Sequence, residues 1–224
     1  MQPLRVTARL VSGLACEHPV ALDSLLAAVV AGREQYPPAC LEERVPPPDS
    51  LPLLWHERGF HHASQAHLVV AGYETIRWSR KTLGLPELAL LTSAGKVPVA
   101  GRWKAYWMPL RKVLPAGMTL TWWAVGDRRE VAELLRHVFA LGTKRGSGHG
   151  WVGQWTVETV DEDWSLLRPD GGAPGARLVV SRPVPPELAP EGWWTQGPAW
   201  LTYPYWRGGE QPWCALPEAV EAAG

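Results

Sequence analysis

The chain has 224 residues, 46% of them hydrophobic, with 22 basic and 22 acidic side chains, enough for one large globular domain or two small ones with a buried core. Its 22 glycines and 22 prolines exceed an ordinary combined share of roughly 12% but fall short of the roughly 25–30% of low-complexity disorder, so a folded, loop-rich protein is expected. Three cysteines, Cys16, Cys40 and Cys214, without CxxC or close Cys/His spacing, suggest neither a disulfide framework nor a zinc site, and no long apolar run or signal-like N-terminus is present, which predicts a soluble, cytoplasmic protein.

Leu4, Val6, Ala8 and Leu10 alternate with Arg5, Thr7 and Arg9, the period of a first strand with one apolar and one basic face. Leu22, Leu25, Leu26, Val29 and Val30 then fall at helical spacing before Gly32, which predicts a first helix over residues 21–33. Prolines dominate the following stretch, and residues 34–66 read as an irregular insertion. The β-branched and aromatic run from His67 to Lys81 predicts a long strand with a basic tail. Residues 82–118 read as a second insertion, and TLTWWAV, Thr119 to Val125, as the third strand.

Asp127 with Glu130 three residues later makes a capping-box signature, and Val131, Leu134, Leu135, Val138 and Phe139 continue as an apolar stripe, predicting a second helix that stops at Gly142. The last strand of the unit is expected over Trp151–Val160. The order βαββαβ predicts an α+β, ferredoxin-like (RRM-like) domain over residues 1–160, with both helices on one sheet face and the other face open to binding. Arg5 and Arg9 are expected on that open face. Residues 161–224 form a Trp/Pro-rich C-terminal extension packed on the domain.

Charge is segregated along the chain although the total cancels. Residues 77–112 carry Arg77, Arg80, Lys81, Lys96, Arg102, Lys104, Arg111 and Lys112 against Glu87 alone, whereas ten acids face four arginines from Glu158 onward. Such a split suggests one anion-binding surface and one acidic surface.

The segment LGTKRGSGHGWV places Gly142, Gly146, Gly148 and Gly150 around Lys144, Arg145, Ser147 and His149. Glycines let main-chain N–H groups approach a phosphate, and the two cations add Coulomb attraction. Because this loop follows a helix and opens a strand, it matches neither a Walker loop nor a dinucleotide fingerprint. The alternative is a connection with no ligand.

A βαββαβ order whose second helix runs into a basic, glycine-rich loop resembles the RAMP superfamily of CRISPR-associated RNA-binding proteins. The segments LRVTARLVSGLA and VALDSLLAAVVAG, with the pair Leu22 and Asp23 at the helix start, are similar to the first strand and helix of that family. Together with GRWKAYWMPLRKVL, the chain looks most like the subunit of type IV effector complexes that holds the crRNA 5′ handle. The resemblance implies a non-catalytic, antiviral-defence protein without metal or cofactor. Its partners would be crRNA, the CRISPR backbone and large subunits and, at a further step, target DNA, with no membrane. It further implies that Gly142, Lys144, Arg145, Gly146, Ser147, Gly148, His149 and Gly150 contact the RNA backbone. A thumb-like insertion would bring Arg102, Trp103, Lys104, Tyr106, Trp107, Arg111 and Lys112, with Arg77, Arg80 and Lys81 beside it. Interleaved cations and aromatics suit single-stranded RNA, whose phosphates pair with the former and whose bases stack on the latter.

Two other readings compete. WHERGFHH, Trp55 to His62, fails HExxH by one residue, but His61, His62 or Tyr73 could serve as acid or base in a metal-independent repeat-RNA endonuclease of the same superfamily. The C-terminal aromatics Trp193, Trp194, Trp200, Tyr203, Tyr205, Trp206 and Trp213 fit a carbohydrate- or protein-interaction module, or a self-packed small core.

Overall fold

The computed structural model describes residues 1–16, 19–33, 46–80, 106–170, 175–192, 194–203, 205 and 209–217. Among these, the protein is α+β, with two helices and several antiparallel sheets. The main sheet contains β1 (Gln2–Leu10), β2 (Leu14–Ala15), β5 (His67–Arg80), β6 (Tyr106–Gly126) and β7 (Val152–Thr159). β1 lies between β7 and β6, and β5 pairs the far edge of β6. β2 continues along the β1 edge, pairing Leu14 with Val113 and Ala15 with Lys112. Smaller hairpins are β3 (Trp55–His56) with β4 (Phe60–His61), β8 (Leu167–Pro169) with β9 (Leu178–Val180), and β10 (Gln196–Pro198) with β11 (Trp213–Ala215).

The alternation in β1 sorts its side chains as the pleat requires: Leu4, Val6, Ala8 and Leu10 are buried while Arg5 and Arg9 face solvent. The buried face packs against α1 (Leu22–Arg33) through Leu22 and Leu26, and against α2 (Arg128–Leu135) through Val131, Leu134 and Leu135. Two indoles complete this layer with their N–H groups satisfied. Trp122 Nε1 donates to the Val20 carbonyl at 2.8 Å and Trp155 Nε1 to the Val138 carbonyl at 2.9 Å. The Asp127 carboxylate caps α2 by accepting from the Glu130 amide at 2.9 Å.

Three expected boundaries move. α2 ends at Leu135, after which tighter bonds from His137 to Leu134 and from Val138 to Leu135 keep Val138 buried but turn Phe139 out to 70% exposure. Phe139 is therefore surface, not the last position of a core stripe. The third strand begins at Tyr106 instead of Thr119, so 106–118 belongs to a long hairpin with β5, and only 81–105 lies outside the described residues. Pro115 sits where the pairing jumps from Leu68↔Leu120 to Val70↔Pro115, a bulge that lets the strand continue through a residue with no amide hydrogen. Within 34–66, residues 46–66 are not simply irregular: they carry a 3₁₀ turn at Pro48–Ser50 and the β3–β4 hairpin, with 34–45 outside the described residues.

The C-terminal extension does not pack only on itself. Tyr203 is buried in the main core and Tyr205 packs against it, whereas Trp194 joins Val180, Val184 and Ala215 in a second cluster. Trp213 remains exposed, and Trp193 and Trp206 lie outside the described residues. Tyr205 is tied to the start of α1. Its hydroxyl donates to the Asp23 carboxylate at 2.9–3.0 Å, and Arg182 donates to that hydroxyl at 3.2 Å while standing 3.7 Å from Asp23. Arg182 also donates to the carbonyls of His61, Ala63 and Leu201. One buried guanidinium thus joins α1, β4 and the extension. No helix among the described residues is long and apolar enough to cross a membrane.

Candidate nucleic-acid interface

The glycine-rich loop is built on the end of β1. After Leu10 the chain turns through Val11–Gly13 into β2, and this turn holds the loop from below. The Gly150 amide donates to the Gly13 carbonyl at 3.0 Å, the Val11 amide to the Trp151 carbonyl at 2.8 Å, and the Trp151 amide to Ser12 Oγ at 3.0 Å. At the other foot, Thr143 donates twice to the Ala15 carbonyl, from its amide at 2.7 Å and from Oγ1 at 2.9 Å.

Close approach is what demands glycine at the two feet. A Cβ on Gly142 would stand 2.5 Å from the Ala15 carbonyl oxygen, and one on Gly150 would collide with the Leu141 carbonyl, both at positive φ, +73° and +66°. The Ser147, Gly148 and Gly150 amides donate to the Lys144, Arg145 and Gly13 carbonyls, so the loop uses three of its main-chain donors within the protein. What it presents outward is Arg145, Gly146, Ser147 and Gly148, all exposed in or beside a 3₁₀ turn (Arg145–Ser147), flanked by half-buried Lys144 and His149.

Of the two open-face arginines, Arg5 is matched across the strands by Glu158, its register partner, at 2.7 Å. Arg9 stands opposite Gln154 and Thr119, with no carboxylate in register. The face is not open throughout. Trp123, beside Arg5, is only 7% exposed because the segment after β7 folds over it, with the Trp164 and His67 rings each 5.7 Å away and the Arg168 guanidinium 6.0 Å above. A large indole left in water would forfeit its burial energy, which explains the cover. The uncovered end is the Arg9 end, nearest the loop.

The other expected site residues divide in two. Arg77 and Arg80 lie on β5, and Tyr106, Trp107, Arg111 and Lys112 on β6, with Arg80 opposite Tyr106 and Thr75 opposite Arg111. Lys81, Arg102, Trp103 and Lys104 lie outside the described residues. β2 joins the two regions, since Ala15 is in register with Lys112 on one side and accepts from Thr143 on the other. The basic hairpin and the glycine-rich loop therefore flank one two-residue strand.

Trp151 is a candidate site residue that sequence reasoning misses. The pattern puts it at the start of a strand, yet it is 51% exposed, with its indole N–H directed to the Arg145 carbonyl at 3.3 Å. The available signal is its position, an aromatic directly after Gly150.

The histidines of the competing reading sit elsewhere. His61 is fully buried, with Nε2 on the Pro48 carbonyl at 2.9 Å and Nδ1 unpartnered, between the rings of Trp55 and Tyr203. Burial pushes its pKa below the usual imidazole value, and the ring has no solvent-exposed edge. His62 Nδ1 lies 3.3 Å from both Asp163 and Ser165, so the two compete for one ring nitrogen and do not form a relay across the ring. Tyr73 lies on β5. Among the described residues, no three His, Cys, Asp or Glu side chains converge to hold a metal. No protein-family model and no curated protein matches this chain.

Proposed function

We propose that this chain is a RAMP-type, non-catalytic RNA-binding subunit that grips the 5′ handle of a crRNA and caps the backbone of a type IV-like CRISPR surveillance complex in the cytoplasm. The strand order β7-β1-β6-β5, with α1 and α2 on one face, supports a ferredoxin-like reading of the main domain. The observation that carries the proposal is the seating of the glycine-rich loop on β2 beside the basic β5–β6 hairpin. A single strand running from the loop toward the hairpin would meet Lys144, Arg145 and Ser147 first and the Arg111–Lys112 stretch beyond. Phosphate neutralisation by a handful of cations gives useful affinity even when the whole protein is neutral.

The acidic C-terminal extension suits contacts with the backbone and large subunits, and flanking target DNA would be met only in the assembled particle. The test is to purify the chain from cells that carry its neighbouring loci, cross-link with ultraviolet light and sequence the attached RNA. Repeat-derived RNA cross-linked to peptides spanning 142–151 and 102–112 is expected. A preparation free of RNA, or one cross-linked only through the C-terminal aromatics, would overturn the proposal.

A further inference from the structure

Trp151 is a large aromatic left half in water at the rim of the glycine-rich loop. Its neighbours Val152 and Trp155 pack against the main core, Trp155 with its indole N–H on the Val138 carbonyl, whereas Trp151 does not join that layer. The backbone at Trp151 is fixed on both sides, by Ser12 Oγ on its amide and the Val11 amide on its carbonyl, and its indole N–H is directed to the Arg145 carbonyl. The ring is thus pinned to the segment bearing the exposed Arg145 cation. Val11, 65% exposed, borders it on the β1 side, with its Cγ1 lying over Gly153 where a Cβ would stand only 2.8 Å away.

A preset aromatic face costs little conformational entropy to use, and beside a cation its natural occupant is a flat group carrying a phosphate. We propose that Trp151 is a stacking platform for one unpaired nucleobase whose adjoining phosphate is held by Arg145, so that the loop binds a nucleotide unit and not a bare phosphate. This inference rests on the RNA-binding reading above. Charge complementarity selects RNA over an apolar protein segment as occupant: Arg145, whose carbonyl accepts from the indole, and its chain neighbour Lys144 lie on the loop, and Arg9 lies on β1 just before Val11.

The experiment compares the full chain with its Trp151→Ala and Trp151→Phe variants, binding a fluorescein-labelled oligoadenylate of about twelve nucleotides and the same strand made abasic throughout. Trp151→Ala should weaken binding to the oligoadenylate by about tenfold, Trp151→Phe should restore most of it, and neither should change binding to the abasic strand. The dependence on salt should be the same for all three proteins, because every phosphate-binding cation is retained. Equal losses on both strands, or none, would overturn the inference. So would normal RNA binding by Trp151→Ala together with failure to assemble with protein partners, which would make the patch a protein-docking surface. If Lys144→Ala and Arg145→Ala alter the salt dependence while Trp151→Ala leaves base-dependent binding intact, only this inference fails. If the unaltered chain binds neither strand, the RNA-binding reading fails with it.

Discussion

The Ala15 carbonyl accepts from Thr143 twice, and through that one oxygen a loop 128 residues distant in sequence is fixed to the edge of the main sheet. The same residue pairs with Lys112 of the long hairpin. Two basic segments that the sequence separates by about thirty residues therefore share one support. A segment held by such a support loses less conformational entropy on meeting a partner than a free loop would.

The seating of the loop predicts a contrast between glycines. Gly142→Ala and Gly150→Ala should each cost about 2–4 kcal/mol, combining the left-handed backbone penalty with collision against a carbonyl. Gly146, around which a Cβ would meet nothing within 4 Å, should tolerate Ala within about 0.5 kcal/mol. Urea denaturation of the three variants checks this. Equal, small effects would mean that the loop is not seated on β2.

Burial of Arg182 with Asp23 and Tyr205 predicts strong, non-additive energetics. Arg182→Met strands the Asp23 carboxylate in the interior and should cost about 3–5 kcal/mol, whereas the double variant Asp23→Leu/Arg182→Met should cost less than that single change. Tyr205→Phe removes one hydroxyl that bridges the two charges and should cost about 1–3 kcal/mol. Thermal or urea unfolding of the set measures the coupling. Additive losses would show that the three side chains do not act as a unit.

Two histidines predict acid sensitivity. Burial, reinforced by the Arg168 guanidinium, pulls His67 down to about 4, and burial also lowers His61. In the unfolded chain both titrate near the ordinary value of about 6.5. Between those values the unfolded state binds more protons than the native state, so stability falls as pH drops from about 6.5 toward 4 and is flat above about 7. The midpoint of thermal unfolding should fall across that window, and His67→Gln should flatten part of the slope. A variant slope identical to that of the parent would contradict the assignment to His67.

The local parts of this structure are legible in the residues. The alternation Leu4–Leu10, the stripe beginning at Leu22 and the Asp127 cap each specify their element through neighbours a few positions apart, and each is found. Errors arise where a pattern outlasts the geometry. Val138 and Phe139 keep helical spacing after the helix has ended, and Pro115 reads as a loop residue although a bulge admits it to a strand.

The longest-range features leave no periodic trace. Nothing near Asp23 announces Arg182 or Tyr205, which arrive 159 and 182 residues later, and nothing near Thr119 announces that Trp164 will cover the neighbouring Trp123. The loop itself is visible as a basic, glycine-rich segment. Its support on β2 is not, because a two-residue strand has no pattern to detect.

The most direct test of RNA lying against the glycine-rich loop is the salt dependence of binding. For the unaltered chain and for Lys144→Ala/Arg145→Ala, the association constant for a single-stranded RNA of about twelve nucleotides is measured over a range of salt concentrations. If both cations neutralise phosphates, the logarithmic slope of the double variant should be shallower by about 1.4, roughly 0.7 for each phosphate no longer neutralised. Parallel lines of equal slope would contradict the account and move the RNA, if bound at all, to another surface.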